Sequence, residues 1–302
     1  MQAFHRLIAC FLLTALSSSV CARDIFVDNV AGDDRRKGES PEINARAGGP
    51  CRSIRRALEL AERADRVVIA NTGQPYHESL TLQAGRHSGL PSRPFTIVGN
   101  GATLDGSAPV PRDAWEQVEG NIFRFRPRRA TFQLLFLDGK PAPRRMVDRS
   151  QGFPELEPLE WCLLDRTVYL RVDKDRLPHQ YDLSYTSLQV GITLYEVRHV
   201  LVTDLVVQGF QQDGVNAHDS AFDTTLVGLT CRGNGRSGIS VGGASRVKIY
   251  ASLVGNNGTA QVRTEGFSRT EIINCDLIDA AHAPATVREG GQLTIQNDAA
   301  GS

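Results

Sequence analysis

LVGLTCRGNGRSGISVGG (Leu226–Gly243) carries glycine every two to five residues, with only short apolar bits between: Leu226, Val227, Leu229 and Cys231, then Ile239 and Val241. An interior glycine costs a helix about 1 kcal/mol against alanine, so this stretch builds no helix. The apolar bits are also too short for ordinary strands. The pattern demands very short strands broken by sharp corners.

The flanking segments repeat it. TDLVVQGF (203–210), VGLTCRGN (227–234), IYASLVGN (249–256) and INCDLIDA (273–280) align on Val207, Cys231, Leu253 and Leu277, at spacings of 24, 22 and 24 residues. Leu205, Leu229, Ala251 and Cys275 stand two positions earlier, and Gly209, Gly233, Gly255 and Asp279 two positions later. A period of this length marks a solenoid, whose coils bury an inner face only by stacking. Within each unit the apolar residues alternate with period two, as in strands. Glycine and asparagine supply corners at positive φ. Leucine-rich repeats share the period but need denser leucine and a fixed asparagine frame. The expected fold is all-β, a right-handed parallel β-helix, with Asn234 and Asn256 stacked at one corner.

The rest of the chain is organised around that solenoid. CRSIRRALELAERA (51–64) places Ile54, Ala57, Leu58 and Ala61 on one helical face, with Glu59 and Arg63 a turn apart on the other. Such a helix would cover the open end of the solenoid, which otherwise invites edge pairing. RVVIA, ESLTL, PFTIVG and ATLDG read as the first coil strands. The repeat breaks from 107 to 188, where NIFRFRP, QLLFLDGKP and TVYLRVD read as antiparallel strands of an inserted lobe. The expected layout is therefore a leader (1–22), cap and first coils (23–106), lobe (107–188), further coils (189–290) and a polar tail (291–302).

The leader has a basic start, an apolar run from Leu7 to Leu16 and Val20-Cys21-Ala22 at its end, the pattern of a cleaved secretory signal. Export and a monomer without a membrane span in the mature chain are expected. The 34 basic and 34 acidic residues cancel, which gives no electrostatic case for nucleic acid. Cys51, Cys162, Cys231 and Cys275 include no CxxC, against a zinc cluster. Cys231 and Cys275 sit in apolar strand positions, while pairing of Cys51 with Cys162 stays open.

DIFVDNVAGDD, SIRRALELAERADRVVIA and YHESLTL together resemble the opening of secreted right-handed β-helix proteins of the pectate-lyase-like superfamily. LEPLEWCLLDRTVYLRV is similar to the lobe that many bacterial members insert. The resemblance covers roughly residues 24 to 290. It implies the fold and a polysaccharide partner, an acidic one, engaged either by an enzyme of lyase, hydrolase or epimerase type or by a non-catalytic carbohydrate-binding or cell-surface scaffold protein. The superfamily holds lyases, hydrolases, esterases, epimerases and members without assigned chemistry, and no motif here transfers one of those activities residue by residue.

Outward residues of one stacked strand form a shallow groove in such a fold. NAHDS (216–220), VGGAS (241–245), VRTEGFS (262–268) and VREGG (287–291) occupy similar places. The 25-residue spacing of Arg263 and Arg288 makes them neighbours, accompanied by Glu265 and Glu289. His218, Asp219 and Asp213 lie two coils earlier, with Gly242 and Gly243 as a bare floor. An arginine could hold a uronate carboxylate while His218 acts as base or acid, the needs of β-elimination. Asp213, Asp219 and Glu265 could instead supply two carboxylates for glycoside hydrolysis, and carboxylates on adjacent turns could bind Ca²⁺. The same charges could also be ordinary surface ion pairs. A second candidate is the basic stretch of the lobe, where Arg124, Arg126, Arg144 and Arg145 stand beside Phe123 and Phe125. It suits an acidic polysaccharide, or is a solvated strand face. Asn257-Gly258-Thr259 fits a glycosylation sequon or a corner.

Overall fold

A computed structural model describes residues 22–44, 48–280 and 282–297. The leader, apart from Ala22, lies outside the described residues. The chain winds as a parallel β-helix with three faces. The inner column of the first face runs Ile25, Val67, Ile97, Val202, Leu226, Ile249, Ile272 and Ile295. The second runs Leu104, Val207, Cys231, Val254 and Leu277. The third runs Leu80, Ile192, Val215, Ile239 and Val262. Most of these side chains are fully buried, and burying one aliphatic side chain is worth about 1.5–3 kcal/mol.

The glycines of the opening stretch now have places. Gly228 turns the chain from the first face to the second at φ +64°, and Gly233 ends the second face at φ +61°. The equivalents of Gly228 in other coils are Asn100, Asp204, Ala251 and Asn274, all left-handed. Ala251 is the surprise, since alanine carries no turn signal. Because it is the corner, it is not an inner residue, and the coil after it is displaced by one position from the sequence alignment. Cys231 pairs with Val254, whereas Leu253 pairs with Thr230 and is 41% exposed. Ser252, not Ala251, sits beside Leu229, accepting its amide proton on Oγ.

The asparagine ladder is corrected by the same step. Asn256 is a left-handed corner and Asn257 is the inward partner of Asn234. Asn234 Nδ2 donates to Asn257 Oδ1 at 3.0 Å and to the Val207 carbonyl at 3.1 Å. Asn257 donates to the Cys231 carbonyl and to Gln261 Oε1. With Asn257 buried among these partners, the sequon has no room for a glycan.

The cap helix is Ile54–Leu60, shorter than expected, with Ser53 accepting the Arg56 amide at its start. It ends early because the Asp65 carboxylate takes the Glu62 amide and Arg23. Glu59 pairs with Arg56 rather than Arg63. Ile54, Ala57 and Leu58 are buried against the first coils.

After Asp105 the chain leaves the solenoid, and it returns at Ser187. The Gly106 carbonyl accepts from both the Ser187 and Leu188 amides, closing the excursion. Between them lie two four-stranded antiparallel sheets. One holds Trp161–Leu164, Thr167–Arg171, Ile122–Phe125 and Glu116–Glu119, and the other Ser107–Pro109, Leu183–Thr186, Leu135–Leu137 and Lys140–Pro141. Trp161 is fully buried between them and donates Nε1 to the Ala142 carbonyl.

The expected polar tail is a strand for its first part: Thr286–Gln296 pairs along Ala260–Ile273 and forms the last described coil. All four described cysteines are buried free thiols; burial pushes Cys51 and Cys162 up to about 11 and Cys231 to about 12. Among the described residues no helix is long and apolar enough to cross a membrane.

Candidate functional site

The outer side of the third face carries two rows of side chains, each advancing about 4.8 Å per coil. One row is Thr81, Thr193, Asn216, Ser240, Arg263 and Val287. The other is Gln83, Tyr195, His218, Gly242, Glu265 and Glu289, where Gly242 follows the paired position of Val241. The second row is the chemically rich one, and Gly242 is its key. A Cβ there would stand 2.8 Å from Cε1 and Nδ1 of His218. Without it, the imidazole lies across the gap, and its Nε2 comes to 4.0 Å from Glu265 Oε2.

Beside Glu265 is a built charge network. Asp213 opens the strand Asp213–His218 and is fully buried. Arg236, in the turn before Ser237–Val241, grips its carboxylate in a fork: Nη2 to Oδ2 at 2.6 Å and Nε to Oδ1 at 3.0 Å. Ser237 and Asn216 donate to the same carboxylate. A fork of this kind fixes a guanidinium plane. Its remaining nitrogen, Nη1, reaches Glu265 Oε1 at 3.4 Å. Burial works against the charge on Arg236, but Asp213 and then Glu265 outweigh it and hold its pKa above the ordinary value. One coil on, Arg263 Nη1 pairs with Glu289 Oε1 at 2.6 Å and holds that carboxyl below the usual range. Glu265 therefore faces an imidazole on one oxygen and a clamped guanidinium on the other, and its side chain is 25% exposed.

Several of the neighbours expected from the sequence fall differently. The structure brings Asp213, His218, Glu265, Arg263 and Glu289 together. Arg288 is not beside Arg263; Arg263 pairs with Val287 and Arg288 with Thr264, a position buried in the preceding coil. Side chains alternate along a strand, so one residue of slip moves Arg288 off the groove row. Its Nε donates to the Gly291 carbonyl instead. Asp219 is a left-handed corner past the end of the strand, exposed and outside the rows. Asp213 is inaccessible to a ligand; it can only position Arg236. Arg236, Ser240 and Tyr195 join the site without any motif that marks them in the sequence. Arg236 is hidden by its place in a turn, and Tyr195 by its place in the first coil after the lobe, ahead of the aligned repeats.

The lobe arginines form no part of this groove. Arg124 pairs with Glu116 and Arg145 with Glu160, while Arg144 stacks over the Trp161 ring at 5.0 Å, all within the lobe. Arg126 is exposed just past the strand Ile122–Phe125, next to Phe125 and within the lobe rather than on the rows above. The lobe meets the solenoid through its 129–133 loop, where Gln211 Nε2 donates to Gln133 Oε1 at 3.1 Å and to the Arg129 carbonyl. Among the described residues no group of three His, Cys, Asp or Glu side chains is placed to hold a metal ion.

The family model for the right handed beta helix region matches residues 184–300, a range that takes in the described coils after the lobe. Among solved structures the chain is similar to a glycoside hydrolase, at 11% identity over 84% of this chain and 73% of that one, with a TM-score of 0.57. It is also similar to XylC in complex with xylose, at 10% identity over 90% of this chain and 69% of that one, with a TM-score of 0.43. At such identities the likeness is one of fold alone. No curated protein matches the chain.

Proposed function

We propose that the protein is an exported polysaccharide-active enzyme that lays a sugar chain along the third face and cleaves a glycosidic bond at Glu265. The observation that carries this is the placement of Glu265, a partly exposed carboxylate between His218 and the Asp213-clamped Arg236, over a gap that only glycine leaves open. Glu265 is the catalytic carboxylate. Glu265 gives a proton to the leaving glycosidic oxygen, water adds to the sugar carbon and passes its proton to Glu289, kept ionised by Arg263, and His218 returns a proton to Glu265. Tyr195, 43% exposed one coil from His218, offers a ring face on which a sugar can stack.

Hydrolysis suits this site better than β-elimination. Elimination needs a positive group free to neutralise a uronate carboxylate. Here Arg236 and Arg263 are already paired, and three carboxylates stand against two guanidiniums within the cluster. With both guanidiniums taken up by carboxylates of the protein, such a groove offers a polyanion no free cationic partner. A neutral polymer is therefore the favoured substrate of this face, in place of the acidic one expected from the residue types alone.

The test is incubation of the chain from Arg23 onward with xylan, polygalacturonate and alginate, following reducing ends and the absorbance of unsaturated products. Reducing ends from xylan without absorbance are expected. Glu265→Gln should lower the rate by about 10²–10⁴-fold, and Gly242→Val should do similar damage by displacing the His218 ring. Absorbance growth on a uronate polymer, or an undiminished rate in Glu265→Gln, would overturn the assignment.

A further inference from the structure

We infer that the junction of the lobe and the second face is a separate binding site for a carboxylate-bearing saccharide unit. A cleft of about 360 Å³ lies there, under the turn Asp138-Gly139 that joins Leu135–Leu137 to Lys140–Pro141. That volume suits one or two sugar rings and falls in the range of small-ligand sites.

Its floor is an outward ladder across three coils, with Asp105, Gln208 and Arg232 in register. Gln208 Nε2 donates to Asp105 Oδ2 at 2.9 Å, and Arg232 Nε donates to Gln208 Oε1 at 2.9 Å. The Ser107 amide donates to the other Asp105 oxygen at 2.7 Å. Each bond fixes the next side chain, so the ladder orients Arg232 while using only its Nε. The terminal Nη pair has no carboxylate partner among the described residues, and the next residue in the row is Gly255, which has no side chain to occupy it. Planar paired Nη donors match a carboxylate in a two-point fork. Lys140 lines the same cleft from the lobe side, likewise without an ion pair among the described residues. Phe136 supplies an apolar wall.

This differs from the third-face groove, where Arg236 and Arg263 are already neutralised. Between these two sites, an anionic sugar finds an oriented, unpaired guanidinium in the cleft. The cleft needs the lobe and the coils together, which gives the insertion a function: it holds an acidic saccharide unit against the second face. The cleft assignment rests on its own residues and stands whether or not Glu265 cleaves anything.

Trigalacturonate is the probe, with xylotriose as the neutral control, titrated calorimetrically into the chain from Arg23 onward. Trigalacturonate should bind, and Arg232→Gln should weaken it by about tenfold or more. Lys140→Gln should weaken it by a smaller factor. Both residues are exposed, so unchanged thermal unfolding is expected of both variants. Glu265→Gln should leave this binding unchanged, and xylotriose should compete poorly for it. Trigalacturonate binding that survives Arg232→Gln undiminished, or that is lost in Glu265→Gln, would overturn the assignment, as would no binding to the unaltered chain. Failure of the groove reading shows instead as missing turnover with cleft binding intact.

Discussion

At the scale of single residues, this chain uses polar groups whose partners come from distant coils. His87 is the clearest case. Its Nδ1 accepts the Gln83 amide at 3.0 Å and its Nε2 faces the Leu58 carbonyl at 2.9 Å, an arrangement that needs a neutral ring with the proton on Nε2. Burial, with help from Arg86, lowers its pKa from the ordinary 6.5. A histidine whose folded pKa is depressed stays neutral while the unfolded chain takes up protons. Its contribution is therefore whole above the unfolded pKa and shrinks as pH falls below it. Urea unfolding at about pH 7.5 and about pH 5 should show a drop in stability that His87→Gln reduces. An equal drop in the variant would assign the acid sensitivity elsewhere. Gln83, four residues earlier at the end of its strand, is a local partner, but the Leu58 carbonyl comes from the cap helix 29 residues away and nothing in the sequence around His87 announces it.

Among elements, the decisive feature is the corner. Alternating apolar residues make each short strand legible, but the corner residues set the register between coils. Gly228 announces its corner; Ala251 does not, and everything from Ser252 to Asn257 is consequently read one position early. The slip is testable through the asparagines. Asn257→Ala would strand the Asn234 amide and the Cys231 carbonyl in a dry interior. At about 1–3 kcal/mol for each unsatisfied group, a loss of about 2–6 kcal/mol is expected. Asn256→Ala at the surface corner should cost about 1–2 kcal/mol, the strain of a left-handed alanine. Thermal unfolding of both variants distinguishes them, and a larger loss for Asn256→Ala would restore the register of the sequence alignment. The same one-residue arithmetic separates Arg263, on the groove row, from Arg288, off it.

For the whole molecule, stability is a sum over stacked coils, so identical residues differ in worth by position. Ile249 is sealed between Leu226 and Ile272, whereas Ile295 has a partner on one side among the described residues and is 51% exposed. Ile249→Ala should cost about 2–5 kcal/mol in urea unfolding and Ile295→Ala less than about 1 kcal/mol. Equal losses would mean that the last coil is covered in solution. The sequence by itself determined the solenoid, the lobe's interruption and the residue types of the groove, because strand alternation and the repeat period are local signals that survive any tertiary arrangement. Only the tertiary structure decided which outward residues meet. It brought Arg236 from a turn to Glu265 and laid His218 over Gly242. It also left Arg124, Arg126, Arg144 and Arg145 to the lobe. Contacts between coils depend on the summed length of three strands and three corners, and a single unmarked corner residue is enough to exchange the groove side of a strand for its core side.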